Sequence, residues 1–301
     1  MKKFVLKVLL FFACVVVMDL AFGQIFSYLR THAKGGSTAN CEYIANRCKD
    51  DIIILGSSRA THHYVPQIIE DSLGVTCYNC GEEGNGVVLA YGRLKMLTDR
   101  YKPQLVLYEL TPGYDYGKAE PNSKYLGYLR AYYEKDGISL IFEDFDDDLS
   151  WLKMKSKMYQ NNTRLLPNLL DNIICRDNNK GYEPLLGHII SESSKKITQK
   201  SSEMTIDSLK LSYLRKVCEL CRNEQIPLYF FISPRFKSND YDRSSYIPAL
   251  SLCNEFNVPV YDYLYSSSIS DNTSYFQDRE HMNNTGAYEY TKLIIKEILD
   301  K

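Results

Sequence analysis

The sequence predicts an α/β fold, a three-layer α/β/α doubly wound parallel sheet of the flavodoxin-like kind. It also predicts a helical insertion and an N-terminal transmembrane or signal helix. Three observations carry this. Short apolar runs at Ile52–Leu55, Leu105–Leu110 and Pro227–Ser233 read as strands buried on both faces. Amphipathic helical stripes lie between and after them at βαβ spacing. A basic start, Lys2-Lys3, precedes an apolar run from Phe4 to Phe22.

From the amino end, Val8–Met18 has the length of a signal core, shorter than a usual spanning helix. Ala21-Phe22-Gly23 offers a cleavage site. A spanning helix with Lys7 reaching toward the headgroups fits as well, and a retained anchor over residues 1–23 is the favoured reading. Either way the positive end stays inside, so the remainder is expected outside the cytoplasm, on the periplasmic or cell-surface face. Residues 24–50, polar and containing Gly35, Gly36 and Ser37, read as a tether.

The α/β domain is expected over residues 51–301. Its first strand, Asp51–Leu55, ends in Gly56-Ser57-Ser58, which stands at the carboxyl edge of the sheet, where open α/β sheets hold ligands. A serine capping the next helix explains the same residues. Val65, Ile68, Ile69 and Leu73 form a helical stripe closed by Gly74. Val75–Asn79 is a second strand. The glycine-rich loop Gly81–Gly86 lacks the GxGxxG order of a dinucleotide site, but its glycines let backbone amides approach a ligand. Val87, Val88, Tyr91, Leu94 and Leu97 mark the next helix, and Leu105–Leu110 the third strand. Thr111–Asp115 is a loop at the carboxyl edge. Residues 113–204 read as a helical insertion capping that edge, with fragments at Leu126–Tyr133 and Trp151–Tyr159. The acidic cluster Asp144, Asp146, Asp147 and Asp148 reads as a solvated helix start in preference to a calcium site. Ile206–Asn223 is a long amphipathic helix, Pro227–Ser233 a fourth strand, Tyr246–Phe256 a helix and Val258–Tyr261 a fifth strand. Ser266–Ser274 is a polar loop, and the last helix runs to Leu299.

A formal net charge of -1 gives no global basic field, which argues against nucleic acid as a partner. Twenty-five tyrosines against one tryptophan suit carbohydrate contacts. Cys77-x-x-Cys80 and Cys218-x-x-Cys221 have zinc or redox spacing. Cys218 and Cys221, however, fall on a helical apolar stripe, where cysteine is a small core residue, and the two pairs lie far apart. No metal and no cofactor is expected. Cys41 and Cys48 could pair in an oxidising compartment.

Asp278-x-x-His281 precedes the last helix. A serine hydroxyl is a weak nucleophile at neutral pH. It needs a base within hydrogen-bond reach, and the base needs a group that fixes its tautomer. An aspartate three residues before a histidine can serve as that group. Together, Gly56-Ser57-Ser58, Asn79-Cys80-Gly81-Glu82-Glu83-Gly84 and the stretch from Asp278 to Ala287 resemble the sequence blocks of the SGNH (GDSL-like) hydrolase superfamily. The resemblance implies Ser58 as nucleophile, His281 as base and Asp278 as its orienting partner, with the Ser58 and Gly84 amides forming the oxyanion hole. It covers residues 51–112 and 206–300. Two departures stand out. Ser57 replaces the aspartate of the first block, and Leu110–Asp115 lacks the asparagine of the third. One oxyanion donor is therefore missing or supplied from elsewhere, and losing a donor costs on the order of a hundredfold in rate.

With the anchor, this is similar to SGNH-like proteins that move acyl groups on exopolysaccharides and cell walls. The function expected is an exported, membrane-tethered serine esterase or O-acyltransferase acting on acylated cell-surface glycan. The partners expected are that glycan, the membrane and a membrane acyltransferase. The alternative is a non-catalytic scaffold that binds glycan or such an acyltransferase. A phosphate- or nucleotide-binding flavodoxin-like domain fits the sheet but lacks a Walker or dinucleotide signature. Arg59, His63, Asp115 and Arg235, all near carboxyl ends of strands, are candidate substrate-binding residues. Surface salt bridges for the arginines and helix-start polarity for His62 and His63 are the competing readings.

Overall fold

The computed structural model describes residues 1–118, 126–145, 149–174, 178–189, 204–237 and 243–300. In chain order the first elements are α1 (Lys2–Thr31), α2 (Gly36–Asn46), β1 (Ile52–Gly56), α3 (Ser58–His63), α4 (Pro66–Leu73), β2 (Cys77–Asn79), α5 (Val87–Thr98), β3 (Leu105–Glu109) and α6 (Pro112–Asp115). Then come α7 (Ile138–Phe145), α8 (Ser150–Lys153), α9 (Lys157–Asn161) and α10 (Leu165–Ile173). The chain continues with α11 (Ser208–Asn223), β4 (Leu228–Ile232), α12 (Ile247–Phe256), β5 (Val260–Asp262), α13 (Ser267–Ser270) and α14 (Asn284–Leu299). These elements form two units. One comprises Met1–Asn46 with Asn122–Asn178, the other Arg47–Pro121 with Asn179–Lys301.

In the second unit five strands pair in the order β2-β1-β3-β4-β5, and every pairing is parallel. All residues of β1 and β3 are buried. Full burial of an Ile or Leu side chain contributes roughly 1.5–3 kcal/mol, and apart from Glu109 at the end of β3 both faces of these strands are apolar, with no polar alternation. Ile52, Ile54, Leu105, Leu107 and Phe231 meet Ile69 of α4 and Tyr290 and Ile294 of α14. Ile53, Leu55, Val106, Tyr108 and Phe230 turn to the other face by the two-residue strand period. There α5, α11 and α12 pack together, and Tyr91 meets Tyr213 edge to face at 5.2 Å. Cys218 and Cys221 are buried on α11, and burial pushes the Cys218 thiol up to about 12. Gly74 closes α4 at φ +68°. The register sets Gly56 beside Glu109 and Glu109 beside Phe231, so the ends of β1, β3 and β4 are level. The Ser266–Ser274 stretch, expected as loop, contains α13 and a 3-10 turn whose start Asn272 caps through its side chain.

The other unit departs from the sequence reading. Residues 24–50 are no tether: α1 runs on to Thr31, and α2 occupies Gly36–Asn46. Arg30, Thr38 and Glu42 find polar partners inside the unit, which composition alone could not show. Arg30 pairs with Glu42, and Tyr132 donates to Glu42 at 2.5 Å. Within the expected insertion 113–204, the described residues 126–145 and 149–174 fold with α1 and α2, whereas α6 and residues 179–189 belong to the sheet unit. Asp146, Asp147 and Asp148 lie outside the described residues. Cys41 and Cys48 are free thiols.

Candidate active site

Strand β1 ends at Gly56 with φ +141°, where a Cβ would meet the Glu109 carbonyl oxygen at 2.8 Å. Only glycine fits, and the chain then turns directly into α3. Ser57 is fully buried and donates to the Thr111 hydroxyl at 2.9 Å. Ser58 opens α3, so its N–H has no intrahelical acceptor. Its Oγ lies 2.9 Å from Nε2 of His281.

The His281 loop is built locally. Phe276 and Met282 form a bridge across it, and Gln277 donates to the His281 carbonyl at 3.0 Å. Asn283 caps α14 by accepting from the Gly286 N–H at 3.1 Å, and its amide donates to the Gly187 and Ser274 carbonyls. Nδ1 of His281 lies 3.1 and 3.0 Å from the two Asp278 oxygens. The same carboxylate accepts from the Glu280 and His281 N–H groups at 2.7 and 2.8 Å. Partial burial works to raise the Asp278 carboxyl, but the bonds and charge of His281 outweigh it and hold the group below its usual value. A carboxylate on Nδ1 fixes the proton there and leaves the Nε2 lone pair facing Ser58. This arrangement can take a proton from the serine hydroxyl and return it to a leaving group.

The glycine-rich loop is clamped beside this turn. Glu82 donates to the Gly56 carbonyl at 3.2 Å. A Cβ on Gly81 would meet the Thr61 nitrogen at 2.8 Å. Buried Arg93 donates to the Cys80 and Gly81 carbonyls and pairs with Glu82 at 2.5 Å. Asn79 donates to the Ala60 carbonyl at 2.7 Å and accepts from the Gly81 N–H. Gly84 follows at φ +66°.

Three residues assigned to substrate from the sequence have protein partners instead. Arg59 is 2% exposed; it pairs with Glu109 at 3.1 Å and donates to the Ser233 hydroxyl and carbonyl. His63 is fully buried. It accepts the Met282 N–H at Nε2 (3.0 Å), which leaves Nδ1–H to donate to Ser233 Oγ at 2.7 Å. Burial, then the charge of Arg59, holds this ring neutral. Asp115 is buried with Thr111 N–H and Tyr108 hydroxyl on its carboxylate, both at 2.7 Å. Burial pushes it up to about 7. These side chains point inward, Arg59 and His63 to Ser233 and Asp115 to Tyr108, a direction that a position at a strand end does not reveal. Arg235 is partly exposed and pairs with Glu280, next to His281.

The sequence reading missed Glu109 and Ser233, which join these groups. Ser233 Oγ donates to Glu109 at 2.7 Å, the Ser233 N–H at 3.1 Å, and the Tyr64 hydroxyl also donates. A glutamate closing an apolar strand was the available signal, since a buried carboxylate requires partners. The chain Glu109–Arg59–Ser233–His63–Met282 thus ties the Ser58 helix to the His281 loop. His62, read from the sequence as helix-start polarity, also stands beside the site. Its ring meets His281 edge to face at 5.7 Å, and its Nδ1 bonds the Glu183 carbonyl at 2.7 Å.

No protein-family model and no curated protein matches the sequence. Among solved structures the chain is similar to TesA, with 11% identity and a TM-score of 0.42 over 81% of this chain and 94% of that one. It is similar to a proposed acylhydrolase from Bacteroides fragilis, with 13% identity and a TM-score of 0.40 over 88% and 96% of the two chains. It is also similar to AlinE4, with 13% identity and a TM-score of 0.36 over 85% and 98%. AlinE4 is an SGNH-hydrolase family esterase.

Proposed function

We propose that the protein is a membrane-anchored SGNH-like serine esterase or O-acyltransferase that acts on an acylated cell-surface glycan. The observation that carries this reading is the continuous Ser58–His281–Asp278 hydrogen-bond line. Ser58 Oγ attacks the acyl carbonyl while His281 Nε2 takes its proton. The N–H groups of Ser58 and Gly84 receive the oxyanion. Collapse expels the sugar alcohol, protonated by His281, and leaves the acyl group on Ser58. Water or an acceptor hydroxyl, deprotonated by His281, then releases it. Arg59, His63 and Asp115 hold this machinery in place, and Arg235 remains a candidate contact for an anionic substrate group.

Helix α1 is long and apolar enough to cross a membrane. With Lys2 and Lys3 at its start it supports an anchor with the sheet unit outside the cytoplasm. A second reading, a non-catalytic scaffold that binds glycan or a membrane acyltransferase, is favoured by one observation. Thr111-Pro112-Gly113 stands where an asparagine donor is expected. Release of acetate from acetylated polysaccharide or a small acetyl ester separates the two. The enzyme reading expects release by the wild type and none by Ser58→Ala. Equal release by both refutes it.

A further inference from the structure

Helix α10 is inside out. Leu166, Leu169, Leu170 and Ile173 recur at i, i+3, i+4 and i+7, one helical face, and all four are exposed, Ile173 by 77%. The polar face is the buried one: Asn168 and Asp171 are 2% and 5% exposed. Thr38 of α2 donates its hydroxyl to Asn168 at 2.9 Å and its N–H to Asp171 at 3.2 Å. Asn172 donates to the Leu29 carbonyl of α1 at 2.6 Å. A helix packed on a protein and facing water presents these faces the other way round.

The explanation lies in α1, which belongs to the same unit. Crossing the hydrocarbon takes about 20 residues, so a span that starts after Lys7 extends past Asp19 and Gly23. Asp19 is partnered there. Ser156 donates to it, as do the N–H groups of Lys157 (2.9 Å) and Met158 (3.2 Å) at the start of α9. A carboxylate at membrane depth is tolerated when protein donors satisfy it. Gly23 lets α9 approach backbone to backbone, since a Cβ there would meet Lys157 Cβ at 2.6 Å. The start of α9 therefore lies beside a part of α1 that the span includes. Just before it, α8 exposes Trp151 and Leu152.

We infer that this helical unit is seated in the membrane beside α1, with the exposed apolar side chains of α8 and α10 in the acyl-chain region of the leaflet that holds the carboxyl half of α1, and the exposed Lys157–Glu134 pair at its headgroups. The occupant of the exposed apolar faces is lipid, because α9 and α10 pack on α1, whose own apolar side chains are exposed along its length. The inference rests on α1 as a span and is independent of the chemistry at Ser58.

The test uses full-length protein reconstituted into phosphatidylcholine–phosphatidylglycerol vesicles, with ordinary or brominated acyl chains. Trp151 is the sole tryptophan, so native emission reports on α8. Brominated lipid is expected to quench it at least about twofold, as for a side chain below the headgroups. Trp151→Phe combined with Leu169→Trp moves the reporter to α10, where similar quenching is expected. Vesicle-bound protein with identical emission in both lipids would overturn the embedding and leave the anchor standing, with protein covering these faces instead. Protein that fails to float with vesicles would overturn both, while Ser58 reactivity stays a separate question.

Discussion

Glu109→Gln should damage this protein more than any loss of contact area suggests. The substitution is nearly isosteric, so packing changes little. It removes the charge that Arg59 faces at 3.1 Å, and Arg59 is 2% exposed. Burial, the largest influence, pushes the Glu109 carboxyl above its usual value, while Arg59, Tyr64 and Ser233 pull against it; the 3.1 Å contact with a guanidinium is what calls for a carboxylate here. Breaking a buried pair by removing one partner costs about 3–5 kcal/mol, because the other charge stays buried. Domains near this size lose roughly 2–4 °C in Tm per kcal/mol, so Tm should fall by about 6–20 °C. Removing both charges, as Glu109→Gln with Arg59→Met, should recover at least about 2 kcal/mol of that loss. Thermal unfolding in detergent followed by circular dichroism reads both. A single variant that melts within about 2 °C of wild type, or a double variant no more stable than the single, would refute the argument that this pair is ionised and structural.

Two further outcomes follow from the same network. His63→Ala deprives the Met282 N–H of its acceptor and loosens the loop beside His281. Ser58 should then react about 10- to 100-fold more slowly with an acylating probe, while stability drops by about 1–3 kcal/mol; unchanged reactivity would contradict the positioning role. Asp115 carries a raised value of about 7 against an ordinary 3.8, so the unfolded chain ionises first. Its contribution to stability therefore falls as pH rises between those values and levels off above them. Asp115→Asn lacks this dependence, and the stability difference should move in the variant's favour by a few kcal/mol, roughly, across that window; urea titrations giving a difference flat from acid to neutral pH would contradict it.

The strands were legible because their burial on both faces writes itself as uninterrupted apolar runs. Gly74 marked the end of α4 through a left-handed backbone that few other residues adopt. Ser58 and His281, 223 positions apart, could be paired on paper because parallel strands bring both to one edge, and the structure sets them 2.9 Å apart. Side-chain direction was not legible. Arg59, His63 and Asp115 occupy the same edge as Ser58, yet they turn inward, and nothing in the local sequence separates them from a serine that does not. The polar stretch 24–50 misled for a related reason. Thr38 and Glu42 bond to partners about 90 to 130 positions away, so their polarity signalled pairing within a fold and not solvent.

Labelling by a fluorophosphonate probe, mapped by peptide mass spectrometry, tests the central claim most directly. The modified residue should be Ser58, because its hydroxyl alone in the Gly56-Ser57-Ser58 turn faces His281, and Ser57 is buried against Thr111. His281→Ala should slow the labelling by at least about a hundredfold, and Ser58→Ala should abolish it. Modification at Ser57 or elsewhere, or labelling of Ser58 at an unchanged rate without His281, would contradict the account.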